Sequence, residues 1–598
     1  MEEDSLVPKE PPSNGRSRKE RRKKPPSEAK RRMEKMAVAD KSIACAFVAV
    51  FLLSAALTTA TILHLETEFK DSSNPVFAGM SKKLAAYNHV PIHKGKAADA
   101  AKSLQKPRKT TTKEKESELP FANPTIRQQD LKDQQEVRNT FPVHASHDLE
   151  EIDHPGILFA DTHQFQAILH AHPDLPSSGK MMVPKFWRPT GYGEGGVRHF
   201  LGEHGNRLPT VEEAKAIGSF FNSEETIYIS VASYRDPECE PTVADIFLRA
   251  SHPERVRVAI IDQRAEDDEV PPCAVPTIPC DEDSEQPLCK YSHLIDSYAV
   301  SAPLSVGPVF ARHLANRMYR GEYFAMQVDS HVRFIEGWDT SIVNQWRQAK
   351  NEMAVLSVYL SDITNSIDPV TFENRHPMRP IMCKTDYEGQ GKMKHLRHGQ
   401  QPEGLPGIHG EPTLHPFWAA GFSFARGHFV VQVPYDQYQP MVFQGEEIFQ
   451  GLRGFTYGYD MYAPEISVAF HMYAIKDNAE KRKKVKLFWE NGKLFPGSGL
   501  VAMKRLNGII GMGDPGDEYY HKDEEEYGLG NVRSKEKFFS LFGIHTDTKT
   551  VEDHLCTFVG KPMMRKFKPF IRENLMGIDY SKVNFAWRDP TLRELPQK

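Results

Sequence analysis

The sequence predicts an α/β domain built on a largely parallel sheet, and three observations predict it. Ile227 to Ala232 (IYISVA), Thr242 to Ala250 and Val256 to Ile261 (VRVAII) read as strand, helix and strand, a succession that implies parallel strands with a right-handed crossover. The alternation then repeats, with a helix over Gly307 to Tyr319, an apolar run over Tyr323 to Val328, a helix over Trp338 to Lys350 and a strand over Ala354 to Val358. The apolar run stops abruptly at Asp329-Ser330-His331. Polar groups just outside the carboxyl ends of strands are where an open α/β sheet binds its ligands. Together these give a Rossmann-like domain.

A chain of 598 residues exceeds one ordinary domain. Its formal net charge of -4 provides no global field for nucleic acid. Seven cysteines are too few for a disulfide scaffold but enough for a few bridges in an oxidising compartment. No C-x-x-C pair occurs, which argues against a zinc ribbon, and no N-x-Ser/Thr acceptor with x other than Pro is present.

Residues 1–41 form a polar, basic tail containing Arg16, Arg18, Lys19, Arg21, Arg22, Lys23 and Lys24, a composition that stays disordered. Ser42 to Leu63 carries no charge and is long enough to cross a hydrocarbon core of about 30 Å as a helix. Residues 42–65 are therefore expected to be a transmembrane signal anchor. The basic side faces the cytosol, and Glu66, Glu68 and Asp71 lie across the membrane. Residues 66–150 read as a disordered stem, because Lys94 to Lys115 offers almost no large apolar side chain to offset ordering entropy. Residues 151–225 read as a partly helical pre-domain, with helical spacing at Ile157 to Leu169 and Val211 to Phe221. The Gly191 to Gly196 loop (GYGEGG) lacks the following Lys-Ser/Thr of a phosphate loop. The main globular domain spans 226–555, and 556–598 reads as a C-terminal extension that the core pattern does not absorb.

Within the main domain, Cys273, Cys280 and Cys289 fall in a Pro- and acid-rich loop. Thr364 to Pro416 is rich in Pro, Gly and His and shows little periodicity, so it reads as a long functional or disordered loop. Trp418 to Phe424 is apolar with Gly421 at its centre, a sign of close backbone approach. Phe443-Gln444-Gly445-Glu446-Glu447 opens a helix running to about Arg453. Carboxylates in a first turn suit the helix dipole, so capping alone is one account of this pair. His471 lies in the apolar run Val468 to Tyr473, where a lone His is commonly a core residue. The basic run Lys481 to Lys486 reads as a solvated helix face.

In an extended chain Asp329 and His331 point to the same side. A carboxylate with an imidazole and open positions suits Mn²⁺. An Asp after a strand is commonly a turn or N-cap residue, so the triplet gains weight only from its companions.

Those companions are Ile229-Ser230-Val231-Ala232-Ser233-Tyr234-Arg235-Asp236-Pro237-Glu238-Cys239, Gly307-Pro308 with Ala311-Arg312, Gln327 to Phe334, Trp338-Asp339, Ala420-Gly421-Phe422-Ser423-Phe424, Phe443 to Ile448, and Tyr462-Ala463-Pro464 leading to His471-Met472-Tyr473. Across roughly residues 225–555 this set resembles the polypeptide α-N-acetylglucosaminyltransferases that modify Thr or hydroxyproline, including the enzyme acting on the ubiquitin-ligase subunit Skp1. The resemblance implies a GT-A fold, UDP-GlcNAc as donor, Mn²⁺ or another divalent cation as cofactor, and retention at the anomeric carbon. It implies Asp329, His331 and His471 as metal ligands. Ser233, Tyr234, Arg235 and Arg312 would lie near the donor, with Gly421 and Phe422 on the sugar side. Glu446 and Glu447 become catalytic candidates, with Asp436 a further acidic one. An anchor and stem resemble a type II glycosyltransferase of the Golgi or ER membrane with its catalytic domain lumenal. That placement favours a secretory polypeptide acceptor bearing Thr, Ser or hydroxyproline. Two alternatives stand beside it: a UDP-hexose-dependent transferase of the same fold, and a membrane-tethered, catalytically inactive sugar-binding protein.

Overall fold

Eight strands form one mixed sheet: β1 (Ile227–Tyr234), β2 (Val256–Arg264), β3 (Ile295–Ser301), β4 (Phe324–Asp329), β5 (Ala354–Ser357), β6 (Thr413–Leu414), β7 (Phe422–Arg426) and β8 (Asp460–Ala463). Their order across the sheet is β6-β8-β5-β7-β4-β1-β2-β3. The half containing β4, β1, β2 and β3 is parallel throughout, as the strand–helix alternation requires for β1, β2 and β4; β3 is not read from the sequence. The Trp418 to Phe424 segment supplies β7, which runs antiparallel between β4 and β5. β8 is parallel to β5 and β6 antiparallel to β8. The computed structural model describes residues 148–187 and 208–582, apart from 174, 209, 217, 267, 400, 402, 405–409, 476–477, 515, 553–555 and 557–569. The expected tail, anchor and nearly all of the stem lie outside the described residues, as does the Gly191 to Gly196 loop. Among the described residues no helix is long and apolar enough to cross a membrane.

The central strands are apolar on both faces because both faces are covered. Helices α1 (Cys239–Leu248) and α3 (Trp338–Gln348) share one core with Ile229, Val231, Met326 and Val328. Helix α2 (Pro308–Met318) packs on the opposite face against Tyr228, Ala259 and Ile261. It begins at Pro308, where a missing N–H costs nothing. Its outer side is covered in turn, since Phe165, Leu175 and Val183 join the same cluster. Residues 149–184 are thus a layer on α2, whereas Ala214 of the helix Val211–Ala216, also in the expected pre-domain, joins the other core. The layer's elements are an antiparallel pair, Leu149–Asp153 with Lys180–Pro184, and helices Pro155–Phe159 and Thr162–Ala171. The helix read over Val211 to Phe221 ends at Ala216, and Phe220–Phe221 pairs antiparallel with Glu224–Glu225.

Two further expectations change, and the cysteine pairing, which the sequence leaves open, is settled. Thr364 to Pro416 is not one structureless loop: it holds the hairpin Thr385–Glu388 with His395–His398 and contributes edge strand β6. Its strands are two to four residues long, too short for a periodic signal. The C-terminal extension is part of the core at residues 570–582, where Met576 and Ile578 are buried. The Ile578 N–H donates to Asp460 Oδ2 at 2.8 Å, and the Gly577 N–H to Asn351 Oδ1 at 3.0 Å. The cysteines pair as Cys239–Cys273, Cys280–Cys289 and Cys383–Cys556. The last joins the 364–416 segment to the chain end.

Asp339 opens α3 fully buried, accepting from the Ser251 and His252 N–H groups at 2.7 and 3.1 Å and from Arg255 Nη2 at 2.8 Å. This Trp338-Asp339 motif is therefore a structural anchor. Removing one partner of a buried ion pair costs roughly 3–5 kcal/mol. Asp339→Ala is expected to lower unfolding free energy by about 3 kcal/mol, at the low end because Glu224 also reaches Arg255 at 3.1 Å. Urea unfolding of the variant against wild type checks this; a change under about 1 kcal/mol would sink the anchor role.

Candidate metal centre and active-site cleft

Asp329 is the last residue of β4. The chain then bends at Ser330 and His331 rather than staying extended, so strand alternation is not what aligns Asp329 with His331. Thr242 of α1 holds the bend: its hydroxyl donates to the Ser330 carbonyl at 2.9 Å and accepts from the Val332 N–H at 3.2 Å. Val332–Phe334 then pairs antiparallel with Ala469–His471, placing His471 opposite Val332. The Met472 N–H donates to the His331 carbonyl at 2.9 Å. This short ribbon brings the two histidines together, with ring centroids 4.5 Å apart.

The result is a carboxylate and two imidazoles, each offering one ligand atom, all within 4.8 Å of one another. His471 Nε2 lies 3.4 Å from Asp329 Oδ2, and His471 Nδ1 is buried with no partner. Burial lowers the His471 pKa against the pull of Asp329, which favours the neutral, ligating imidazole. His331 Nδ1 sits 2.7 Å from Asp236 Oδ2. A carboxylate there fixes the tautomer and leaves Nε2 as the lone-pair nitrogen, the usual support for a metal-bound histidine. Gly421 is needed at its position: a Cβ there would lie 2.8 Å from Asp329 Oδ2. This donor set fits a divalent cation of the Mn²⁺ type.

A charged second layer surrounds these ligands. Asp236 also accepts from Ser330 Oγ at 3.1 Å and from Arg482 Nη1 at 2.8 Å. Burial would raise its pKa, but His331 and Arg482 outweigh burial and hold it well below the usual carboxylate range. Arg312 of α2 reaches Asp329 Oδ1 at 2.8 Å with one nitrogen and Glu446 Oε1 at 2.6 Å with another. Glu446 also accepts from the Tyr435 hydroxyl at 2.8 Å. For Asp329, burial again works upward, and His471 with Arg312 pulls the carboxyl strongly down.

Glu446 and Glu447 open helix α4 (Glu446–Thr456) behind Gly445, whose φ of 94° favours glycine. Neither carboxylate is spent on capping. Glu447 accepts from the Ala420 N–H at 2.9 Å and from the Tyr359 hydroxyl. Burial pushes its pKa up to about 7, only partly offset by those two donors.

These groups line one cleft of about 640 Å³, together with Tyr234, Gln263, Arg312, Gly421 and Trp489. Of the residues expected at a site, Asp329, His331, His471, Tyr234, Arg312, Gly421, Glu446 and Glu447 line it. Ser233 is buried in β1, and Phe422 is buried in β7. Arg235, with φ 51°, bonds Asp268 and Glu490 at 2.8 Å rather than facing the cleft. Asp436 is withdrawn altogether, fully buried on Arg505 Nε at 2.7 Å, so the third acidic candidate is a core ion pair. Asp236, Tyr359, Tyr473 and Arg482 line the cleft without having been singled out. Asp236 carried a signal, since it follows the end of β1 as Asp329 ends β4. Arg482 lay hidden inside a run read as a solvated face; its side chain is 10% exposed.

Residues 226–293 and 279–548 match the family model described as "Glycosyltransferase (GlcNAc)". No curated protein matches the chain. Among solved structures, one titled "Crystal structure of GalNAc-T7 with UDP, GalNAc and Mn2+" is similar at 12% identity and TM-score 0.33, covering 64% of this chain and 60% of that one. This chain thus spans less than two thirds of that protein's length. S. aureus TarS 1-349 in complex with UDP-GlcNAc is similar at 12% identity and TM-score 0.26, with 53% and 73% covered. The mannosyltransferase PcManGT from Pyrobaculum calidifontis, in complex with GDP-Man and Mn2+, is similar at 10% identity and TM-score 0.23, with 46% and 69% covered.

Two outcomes follow from this geometry. Asp329→Ala is expected to weaken Mn²⁺ binding by at least about 100-fold in isothermal titration while the far-ultraviolet dichroism stays native, because Arg312 keeps Glu446. Wild-type Mn²⁺ affinity in the folded variant would remove Asp329 from the ligand set. Glu447 has a raised folded-state pKa, so its protonated form is the stabilised one. Its contribution is full below its ordinary value near 4.5 and is lost as pH rises through about 7. Glu447→Gln is therefore expected to raise Tm relative to wild type at pH 8, with the gap shrinking toward pH 5.5. A pH-independent gap would contradict that ionisation.

Proposed function

The chain belongs to the glycosyltransferase family described as "Glycosyltransferase (GlcNAc)", and on that premise we propose that it moves N-acetylglucosamine from UDP-GlcNAc to a Thr, Ser or hydroxyproline hydroxyl of a polypeptide, with a divalent cation and with retention at the anomeric carbon. The observation that carries this reading is the Asp329–His331–His471 cluster at the carboxyl end of a parallel strand, opening into a cleft of about 640 Å³. We further propose a GT-A domain held in the Golgi or ER by the segment at 42–65, with the cleft on the lumenal side. Three disulfides agree with an oxidising compartment.

The reaction breaks the bond from the anomeric carbon to a diphosphate oxygen, forms one to the acceptor oxygen, and passes the hydroxyl proton to the departing diphosphate. Asp329, His331 and His471 would hold the cation, which when bound stabilises negative charge on the departing diphosphate. Arg482 adds a fixed positive charge at the cleft wall beside Asp236. Arg312 keeps Asp329 ionised and oriented. Glu446 is committed to Arg312 and Tyr435 and positions rather than attacks. Glu447 is the carboxylate with a pKa near 7, suited to receiving the acceptor hydroxyl's hydrogen bond. Tyr359 fixes its orientation.

The test is UDP release by the full chain from a panel of UDP-sugars, with Mn²⁺ or with EDTA. Release is expected to depend on Mn²⁺, to be selective for UDP-GlcNAc, and to fall at least about 100-fold in Asp329→Ala. Selectivity for a UDP-hexose would overturn the donor and keep the transferase. Mn²⁺-dependent UDP binding without turnover on any peptide would favour an inactive sugar-binding protein.

A further inference from the structure

The basic run after the histidine ribbon is not a helix face. The helix there is only Ala479–Arg482, and the chain then passes along the cleft, where Lys486, Leu487 and Trp489 line it with Phe443 and Glu447. Arg482 turns inward onto Asp236, Lys481 pairs with Glu238, and Lys483 pairs with Glu480 at 3.1 Å. Lys484, Lys486 and Lys493 are exposed and make no ion pair among the described residues. Beside them Leu487, Trp489 and Phe443 are 58%, 50% and 49% exposed. Trp489 meets Phe443 edge-on at 5.6 Å and rests on the buried Phe488 at 3.9 Å. Single exposed apolar side chains are ordinary, but a contiguous aromatic group at a cleft mouth marks a binding surface. Rigid aromatics supported from below make effective anchors.

We propose that this lip is the acceptor-docking surface, and that it fits an extended polypeptide segment combining acidic residues with apolar ones. Apolar side chains would lie on Phe443, Leu487 and Trp489, and carboxylates would face Lys484, Lys486 and Lys493. The proposal rests on the reading of the chain as a polypeptide glycosyltransferase. Charge complementarity names the occupant's sign, since the unpaired groups here are all ammonium ions. Continuity with the cleft names its kind. Of the lip residues, Phe443, Lys486, Leu487 and Trp489 border the space before Glu447, so a chain lying on them delivers a hydroxyl inward. An anionic bilayer would meet the lysines but send nothing into the cleft.

The experiment measures binding, so it does not require turnover. Fluorescein-labelled peptides of equal length with a central Thr, flanked by Asp and Leu, by Lys and Leu, or by Gly and Ser, are titrated with the full chain and followed by anisotropy. The Asp/Leu peptide is expected to bind at least about tenfold more tightly than the Lys/Leu peptide. The contrast should shrink with added NaCl and reverse in Lys484→Glu/Lys486→Glu, with dichroism confirming the fold. Trp489→Ala should weaken the Asp/Leu peptide at every salt concentration. Equal binding of all three peptides, or a contrast that survives the double charge reversal, overturns the proposal. So does a double variant whose only change is a higher half-saturation for UDP-GlcNAc, or a loss confined to phosphatidylserine vesicles. Peptide preference without any Mn²⁺-dependent UDP release would overturn the proposed function alone; release without preference would overturn the acceptor surface alone.

Discussion

The buried guanidinium of Arg312 ties the cleft floor together. It projects from α2, one layer of the fold, to Asp329 at the end of β4 and to Glu446 at the start of α4. The buried Glu446 and the partly exposed Asp329 carboxylates repel each other, and an unpaired buried charge costs several kcal/mol. One cation shared between them settles both problems and fixes three elements relative to each other. Burial disfavours the charge on Arg312, yet Glu446 and Asp329 outweigh that cost and keep it protonated. A divalent cation at Asp329 would therefore enter a region where two carboxylates face one guanidinium and one negative charge is left over to meet it. The uncommitted carboxylate is Glu447, held only by an amide N–H and a tyrosine.

Asp236 plays the matching role on the opposite wall. It receives His331, Ser330 and Arg482 at once, linking the ends of β1 and β4 to a segment more than 240 positions later in sequence. The two carboxylates differ in consequence. Asp329 presents an oxygen to the space the histidines share, whereas Asp236 stands behind His331 and sets its tautomer. Parallel pairing of β1 and β4, with Ala232 opposite Asp329, is what brings both strand ends to one side of the sheet.

Strands β1, β2 and β4 were legible because strands buried on both faces are continuous apolar runs, whereas the edge strand β3, IDSYAVS, is only partly buried and shows no such run. The triplet at Asp329 was legible for the same reason, since polarity breaks sharply against a run such as Phe324 to Val328. His471 was visible only through resemblance: its run, Val468 to Tyr473, is as apolar as any core strand, and the bond that matters is a ribbon pairing across 139 positions. Arg482 was masked by its neighbours, because a run of five cations shows no residue distinguished by facing inward. Asp436 misled in the opposite direction. An acidic residue near a candidate pair invites a catalytic role, and only Arg505, far along the chain, shows it to be part of the core. The two-residue strand β6 and the segment holding Ile578 carry too few residues for any periodic signal. Cysteine pairing is a property of three-dimensional proximity and is absent from spacing.

The ribbon that seats His471 beside His331 also sets when the centre comes into being. Residues 227–357 hold five of the eight strands, and a ribosome completes them while the antiparallel insert, α4 and the second histidine are still unmade. Up to that point Asp329 and His331 are a pair of groups at an unfinished sheet edge. Strand β7, between β4 and β5, must then be threaded into place after both of its neighbours have left the ribosome. The candidate metal centre is therefore complete only in the nearly finished molecule. The Cys383–Cys556 bridge needs a cysteine made later still, 173 positions after its partner, to tie down the 364–416 segment.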